Sequence, residues 1–164
     1  MIIGIPSEIK AGEKRVAMSP ANVQSLTDRS VKVLIQADAG SAAGYPDAEY
    51  SAAGATITAD RAEIFASADI ILQVQSFGSN NENSDDDLAR LRSGQLIIGM
   101  MDPLASPQAA QAVADRGATA IALELVPRIS RAQSMDVLSS MATLAGYKAV
   151  LMGASAAPRI FPML

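Results

Sequence analysis

The sequence predicts an α/β fold: a three-layer arrangement with helices on both faces of a parallel sheet, ending in a long C-terminal helix. Short apolar runs alternate with helical segments along most of the 164 residues, which is typical of β-α-β units. The apolar runs are continuous, as in strands buried on both faces. Hydrophobic residues make up 49% of the chain and charged residues 18%, so a sizeable core can form.

Six apolar runs bounded by turn residues or helices are predicted to be strands. They are Met1–Pro6, Val31–Ile35, Ala55–Ile57, Ala68–Val74, Gln95–Gly99 and Ala118–Leu123. The predicted helices are Pro20–Asp28, a short one from Asp47, one capped by Asp60, one near Leu88–Leu91, Pro107–Arg116 and Met135–Ala154. Ser19 before Pro20 is a typical helix start, and Gly117 is a typical helix end.

The composition excludes several kinds of chemistry. The chain has no cysteine and no histidine, which excludes thiolate nucleophiles, histidine acid–base catalysis and metal sites built from these residues. The net charge is −4 and the basic residues are scattered, so nucleic-acid binding is not expected. The acidic run Asp85–Asp87 lacks the pattern of a calcium loop and is interpreted as a solvated helix start. No metal is predicted.

Arg15 is a first candidate binding residue. It follows the first strand, at the edge of the sheet where α/β folds bind ligands. Its guanidinium could hold a carboxylate or a phosphate. The alternative is a surface arginine paired with Glu8 or Glu13.

A second candidate site lies between the sixth strand and the last helix, in Val126–Asp136. This segment places Arg128, Gln133 and Asp136 close together in the sequence. An amide such as that of Gln133 can bond a carboxamide without carrying charge, and Arg128 and Asp136 could brace each other. The alternative is an ordinary helix start, with Ser134 as N-cap and Asp136 in the first turn.

The last helix is rich in small residues, which permit close approach of another element or simple core packing. They are Ala142, Ala145, Gly146, Ala149, Gly153 and Ala154. Lys148 and Pro158 interrupt the apolar stretch, so a buried or docking helix is favoured over a membrane span. No G-x-G-x-x-G motif follows any strand, so these residues lack the usual means of gripping a dinucleotide.

Two stretches of the sequence form recognisable motifs. The first comprises Ile3–Lys10, Glu13–Ala17 and Ser19–Pro20, continued by Ala37–Ser41, Tyr45, Tyr50 and Ala53–Ala55. The second comprises Val126–Asp136, Leu138–Met141 and Ala145–Lys148. Together they resemble the alanine dehydrogenase and transhydrogenase N-terminal domain family, and the second stretch is very similar to the Arg-Gln-Asp loop of its transhydrogenase branch. The resemblance implies a flavodoxin-like sheet of the kind found in the catalytic domains of formate and glycerate dehydrogenases.

The alanine dehydrogenase branch fits less well. Its members carry a substrate-binding lysine at the fourth strand, where this chain has Leu72–Gln75. They also carry a catalytic histidine after the fifth strand, where this chain has Gly99–Pro103. The resemblance therefore implies the transhydrogenase branch.

That branch implies a catalytic and cofactor-binding set, namely Arg128, Gln133, Asp136 and Ser139. These residues would hold the nicotinamide of NAD(H) for hydride transfer to NADP(H) on a partner component, coupled to proton translocation and without a metal. The resemblance also implies a homodimer and partner components that bind NADP and span the membrane. We expect a cytoplasmic protein that is peripheral at the membrane through these partners and is not itself inserted.

The expected domain organisation is residues 1–134 as a first domain that includes the loop, and residues 135–164 as a long helix. In the family this helix leads to an NAD-binding domain, which these 164 residues do not contain. We expect them to be a fragment or a truncated product, and inactive alone. Two other functions stay open: an alanine dehydrogenase-like oxidoreductase acting on a 2-oxo acid through Arg15, and a non-catalytic module whose long helix mediates dimerisation.

Overall fold

The computed structural model describes residues 1–80 and 84–160. It divides into two compact units, Met1–Leu123 and Glu124–Leu164. The first contains the sheet and the second contains the last helix. The Arg-Gln-Asp loop falls in the second unit.

The first unit is built on a six-stranded parallel sheet. Its strands are β1 (Ile2–Ile5), β2 (Lys32–Gln36), β3 (Thr56–Thr58), β4 (Ile70–Gln75), β5 (Leu96–Met100) and β6 (Thr119–Ala122). They lie in the order β3-β2-β1-β4-β5-β6, and neighbouring strands are parallel. Without the short edge strand β3, this is the order of a flavodoxin-like sheet. The predicted α/β fold is confirmed.

The helices that connect the strands also follow the prediction. They are α1 (Pro20–Thr27), α2 (Asp47–Ala52), α3 (Arg61–Ser67), α4 (Ser84–Arg90) and α5 (Pro107–Asp115). Asp60 caps α3 by accepting the backbone N–H of Ala62 at 2.8 Å. The largest difference is at α4, which was predicted near Leu88–Leu91 but begins at Ser84, so that Asp85–Asp87 lie in its first turn. Its acidic residues are favourable there because the N-terminal end of a helix carries partial positive charge.

Two apolar clusters cover the two faces of the sheet, because successive strand residues point to opposite sides. On β2, Leu34 belongs to one cluster, while Val33 and Ile35 belong to the other. On β1, Gly4 lets α3 pack directly against the strand: a Cβ there would lie 2.6 Å from Cγ2 of Ile64. Apolar packing therefore holds a layer of helices on each face of the sheet.

A buried ion pair ties α3 to α4. The Arg61 guanidinium donates to both carboxylate oxygens of Asp87, at 2.7 and 2.5 Å, and to the carbonyl oxygen of Ser7 at 2.7 Å. The side chains of Arg61 and Asp87 are 15% and 4% exposed. The interpretation of the whole acidic run as solvated is therefore wrong for Asp87, because its partner lies 26 residues earlier in the chain.

The second unit contains a 3-10 turn (Ser130–Met135) and α6 (Val137–Ala156). The N-cap of α6 is Asp136, whose Oδ1 accepts the N–H of Ser139 at 2.9 Å, so the predicted cap at Ser134 is wrong. No residue of α6 is buried. The predicted packing of its small residues in a core is therefore not seen in the described part of the chain. By length and composition alone, α6 could cross a membrane.

The burial of Asp87 predicts a large stability effect. Asp87→Ala leaves the Arg61 charge unpaired in the interior, and we expect the free energy of unfolding to fall by roughly 3–5 kcal/mol. Asp86→Ala is the matched control, because the neighbouring Asp86 side chain is 80% exposed, and its effect should stay within about 0.5 kcal/mol. Urea denaturation measures both. Equal losses in the two variants would contradict the structural role of the pair.

Candidate functional site

The carboxyl ends of β1 and β4 form the point at which the strand order reverses, where ligands bind in open α/β sheets. Here that position is occupied by side chains of the loop after β1. The two carboxylate oxygens of Glu8 accept the N–H groups of Val74 and Gln75, at 2.6 and 2.9 Å. Burial raises the pKa of Glu8, against the lowering effect of these two hydrogen bonds. The Glu8 carboxylate thus ties the loop to the end of β4.

Arg15 lies beside Glu8 and is held by Glu13. Its Nε and Nη2 donate to the two oxygens of the Glu13 carboxylate, at 2.8 and 2.5 Å. The bond to Arg15 lowers the pKa of Glu13 to about 2, and the same bond raises the pKa of Arg15. Gln75 donates to Glu13 as well, at 3.3 Å. The alternative interpretation, in which Arg15 pairs with a nearby glutamate, is confirmed.

The second unit carries a polar concavity of about 350 Å³. We call it the loop pocket. It is lined by Arg128, Ile129, Ser130, Gln133, Asp136 and Ser139. All four side chains predicted from the sequence therefore lie in one place, because the 3-10 turn brings the loop back over the first turn of α6.

Three of these side chains form a hydrogen-bonded chain. The Ser139 hydroxyl donates to Oδ2 of Asp136 at 2.7 Å, and Nη2 of Arg128 donates to the Ser139 hydroxyl at 3.0 Å. Nε of Arg128 lies 3.6 Å from Oδ2 of Asp136. The backbone N–H of Ser139, its hydroxyl and Arg128 together lower the pKa of Asp136. The pocket thus contains an ionised carboxylate at neutral pH.

Gln133 differs from these three residues. Its side-chain amide makes no hydrogen bond with any other residue that the structure describes. It therefore offers a ligand both a donor and an acceptor. Gln133 thus lies in the same pocket as Arg128 and Asp136 but is not hydrogen-bonded to either of them.

Sequence reasoning did not select Ile129 and Ser130, which also line the loop pocket. The Ile129 side chain is 55% exposed and provides an apolar surface in a polar loop. An isolated large aliphatic residue between charged ones was the available signal. Ser130 carried no signal that separates it from other loop serines.

Comparison with known proteins decides the family. Residues 4–145 match the model of the alanine dehydrogenase/PNT N-terminal domain. The chain belongs to this family. A relative from Rhodospirillum rubrum, the first portion of the NAD(P) transhydrogenase alpha subunit, is 41% identical over 164 residues. The match covers 100% of this chain and 42% of that protein, so the chain spans less than half the length of this relative.

Solved structures agree with the assignment to the alanine dehydrogenase/PNT family. The transhydrogenase from Sinorhizobium meliloti superposes with a TM-score of 0.89 at 41% identity, covering all of this chain and 47% of the other. An L-alanine dehydrogenase superposes with a TM-score of 0.82 at 29% identity, covering 94% of this chain and 40% of the other. Both carry the α/β fold described above.

The Glu13–Arg15 pair predicts a specific acid dependence. Glu13 has a pKa of about 2 in the folded protein and an ordinary value of 4.5, so its contribution to stability is present above pH 4.5 and is lost as the pH falls toward 2. The stability difference between wild type and Glu13→Gln should therefore shrink over that interval, as measured by denaturation at each pH. Arg15→Gln should weaken the same acid dependence. A difference that stays constant with pH would contradict the pairing.

Proposed function

We propose that this chain is the N-terminal part of the NAD(H)-binding component of a proton-translocating NAD(P)⁺ transhydrogenase. The observation that carries the proposal is the loop pocket, which gathers Arg128, Gln133, Asp136 and Ser139 on one short segment. The similarity to the R. rubrum subunit over the whole of this chain supports the same branch of the family.

The donor set of the loop pocket fits the carboxamide of a nicotinamide. A carboxamide presents one carbonyl oxygen and one amino group in a plane. The Gln133 amide can pair with both, Arg128 supplies further N–H donors, and Asp136 is an acceptor. The exposed side chain of Ile129 adds an apolar surface against which a ring can lie. These residues would therefore hold the nicotinamide end of NAD(H).

The chemistry asks little of the protein beyond position. When the nucleotides are bound, a hydride leaves C4 of NADH for C4 of NADP⁺, so that NADH is oxidised and NADP⁺ is reduced with no proton left over. No side chain of this protein has to donate or accept a proton in that step. The task of the loop pocket is to orient the ring and to limit its motion, for which an amide and a braced Arg–Asp pair are suited.

The rest of the proposed assembly lies outside these residues. The adenine end of NAD(H) would be held by a dinucleotide-binding domain that follows α6. The proposed partners are a second copy of the subunit, an NADP-binding component and membrane-spanning components. The protein would then be cytoplasmic and attached to the membrane through those partners. The 164 residues alone would be inactive.

Gln133→Ala tests the proposal in the protein expressed from its complete gene. We expect hydride transfer to NADP⁺ on the partner component to slow by on the order of 10²-fold, because the ring loses its orienting amide. NADH affinity should change much less, since the adenine end is bound elsewhere. Single-turnover kinetics and NADH titration measure the two quantities. Gln111→Ala is the control, because it removes an amide on α5, outside the loop pocket, that donates to Asp115 at 2.8 Å.

Unchanged hydride transfer in Gln133→Ala would refute the assignment of the loop pocket. An oxidation of NADH that requires both pyruvate and ammonium, and that is lost in Arg15→Gln, would instead support the alanine dehydrogenase-like function. The pairing of Arg15 with Glu13 makes that second outcome unexpected.

A further inference from the structure

We infer that the Arg128–Asp136 pair sets the relative affinity of the loop pocket for the oxidised and the reduced nicotinamide. Arg128 neutralises the Asp136 carboxylate, so the pocket does not favour the positively charged ring of NAD⁺ over the neutral ring of NADH. This inference rests on the proposed function and adds to it a control of redox preference at the same site.

The two charged groups of the pair differ in their exposure and in how they are held. The Asp136 side chain is 9% exposed and the Arg128 side chain is 68% exposed. Asp136 is fixed to the first turn of α6 by the backbone N–H of Ser139. Arg128 reaches it from the preceding loop and shares the Ser139 hydroxyl with it. The Asp136 carboxylate is therefore held in the wall of the pocket, and the more exposed Arg128 guanidinium lies next to it.

The second unit offers little other charge to balance Asp136. The N-terminal end of α6 contributes partial positive charge, and it acts equally in every variant of the pair. Arg131 lies in the same loop but does not line the pocket. Within the part of the chain that the structure describes, Arg131 makes no hydrogen bond or ion pair with Asp136. Arg128 is therefore the full charge placed to cancel the carboxylate.

The electrostatic consequence has a defined sign. The oxidised ring carries one positive charge and the reduced ring carries none. Loss of Arg128 leaves an unbalanced carboxylate, which attracts the oxidised ring. Loss of the Asp136 charge leaves an unbalanced guanidinium, which repels it. The ratio of the NAD⁺ and NADH dissociation constants should therefore move in opposite directions when the two partners are changed one at a time.

The test measures dissociation constants of NAD⁺ and of NADH by calorimetry, using the protein expressed from its complete gene. Arg128→Gln should lower the ratio Kd(NAD⁺)/Kd(NADH) by about tenfold, and Asp136→Asn should raise it by about tenfold. Each tenfold change corresponds to about 30 mV in the reduction potential of the bound nucleotide. Asparagine is chosen because it keeps the N-cap of α6.

Two further variants separate charge from contact. The double variant Arg128→Gln, Asp136→Asn has a neutral pocket again, so its ratio should return close to the wild-type value although both affinities fall. Arg131→Gln removes the same charge from the same loop outside the pocket, and its ratio should stay close to that of the wild type. A loss of packing or folding would not produce this pattern.

The possible outcomes distinguish the inference from the proposed function. Opposite shifts in the two single variants, cancelled in the double variant, support the inference. Parallel losses of affinity for NAD⁺ and NADH with a constant ratio overturn it, while the pocket remains the nicotinamide site. Unchanged affinity for both nucleotides in every variant overturns the proposed function itself.

Discussion

The carboxylate of Asp136 is the group on which the candidate site depends. One of its oxygens accepts the N–H of Ser139 and so begins α6, and the other accepts the Ser139 hydroxyl and lies near Arg128. A single side chain therefore fixes the helix, the loop and the guanidinium relative to one another. Because the carboxylate is ionised at neutral pH, a neutral substitute would keep the cap but lose the charge.

Carboxylates have a different role in the first unit. Glu8 binds the backbone at the end of β4, and Glu13 binds Arg15. Both act at the point of the sheet where folds of this kind bind ligands. The hydrogen-bond donors that could bind a substrate anion there, namely Arg15 and the N–H groups of Val74 and Gln75, already donate to carboxylates of the protein. The sheet thus serves as a scaffold, while the residues of the proposed nicotinamide site lie in the second unit.

This division illustrates why a shared fold does not settle a shared reaction. The L-alanine dehydrogenase and the S. meliloti transhydrogenase both superpose on this chain. The two branches were distinguished in the sequence by short stretches, namely Leu72–Gln75, Gly99–Pro103 and the loop that carries Gln133. The reaction of such a protein depends on the chemistry of these residues and not on the sheet.

The sequence by itself determined the order and type of the elements. Continuous apolar runs, Asp60 before α3 and Gly117 after α5 are local signals, because caps and strand propensities depend on neighbours in the chain. The four residues of the candidate site could also be identified from the sequence, since they lie within one short segment that resembles a family motif. Their gathering in a pocket follows from that proximity.

Only the tertiary structure decided which polar residues are satisfied within the protein. The burial of Asp87 depends on Arg61, and the role of Glu8 depends on Val74 and Gln75, all distant in the chain. The strand order is likewise a property of the folded sheet. The physical reason is the same in each case: hydrogen bonds and ion pairs form between groups that are close in space, and the sequence shows only those that are close along the chain.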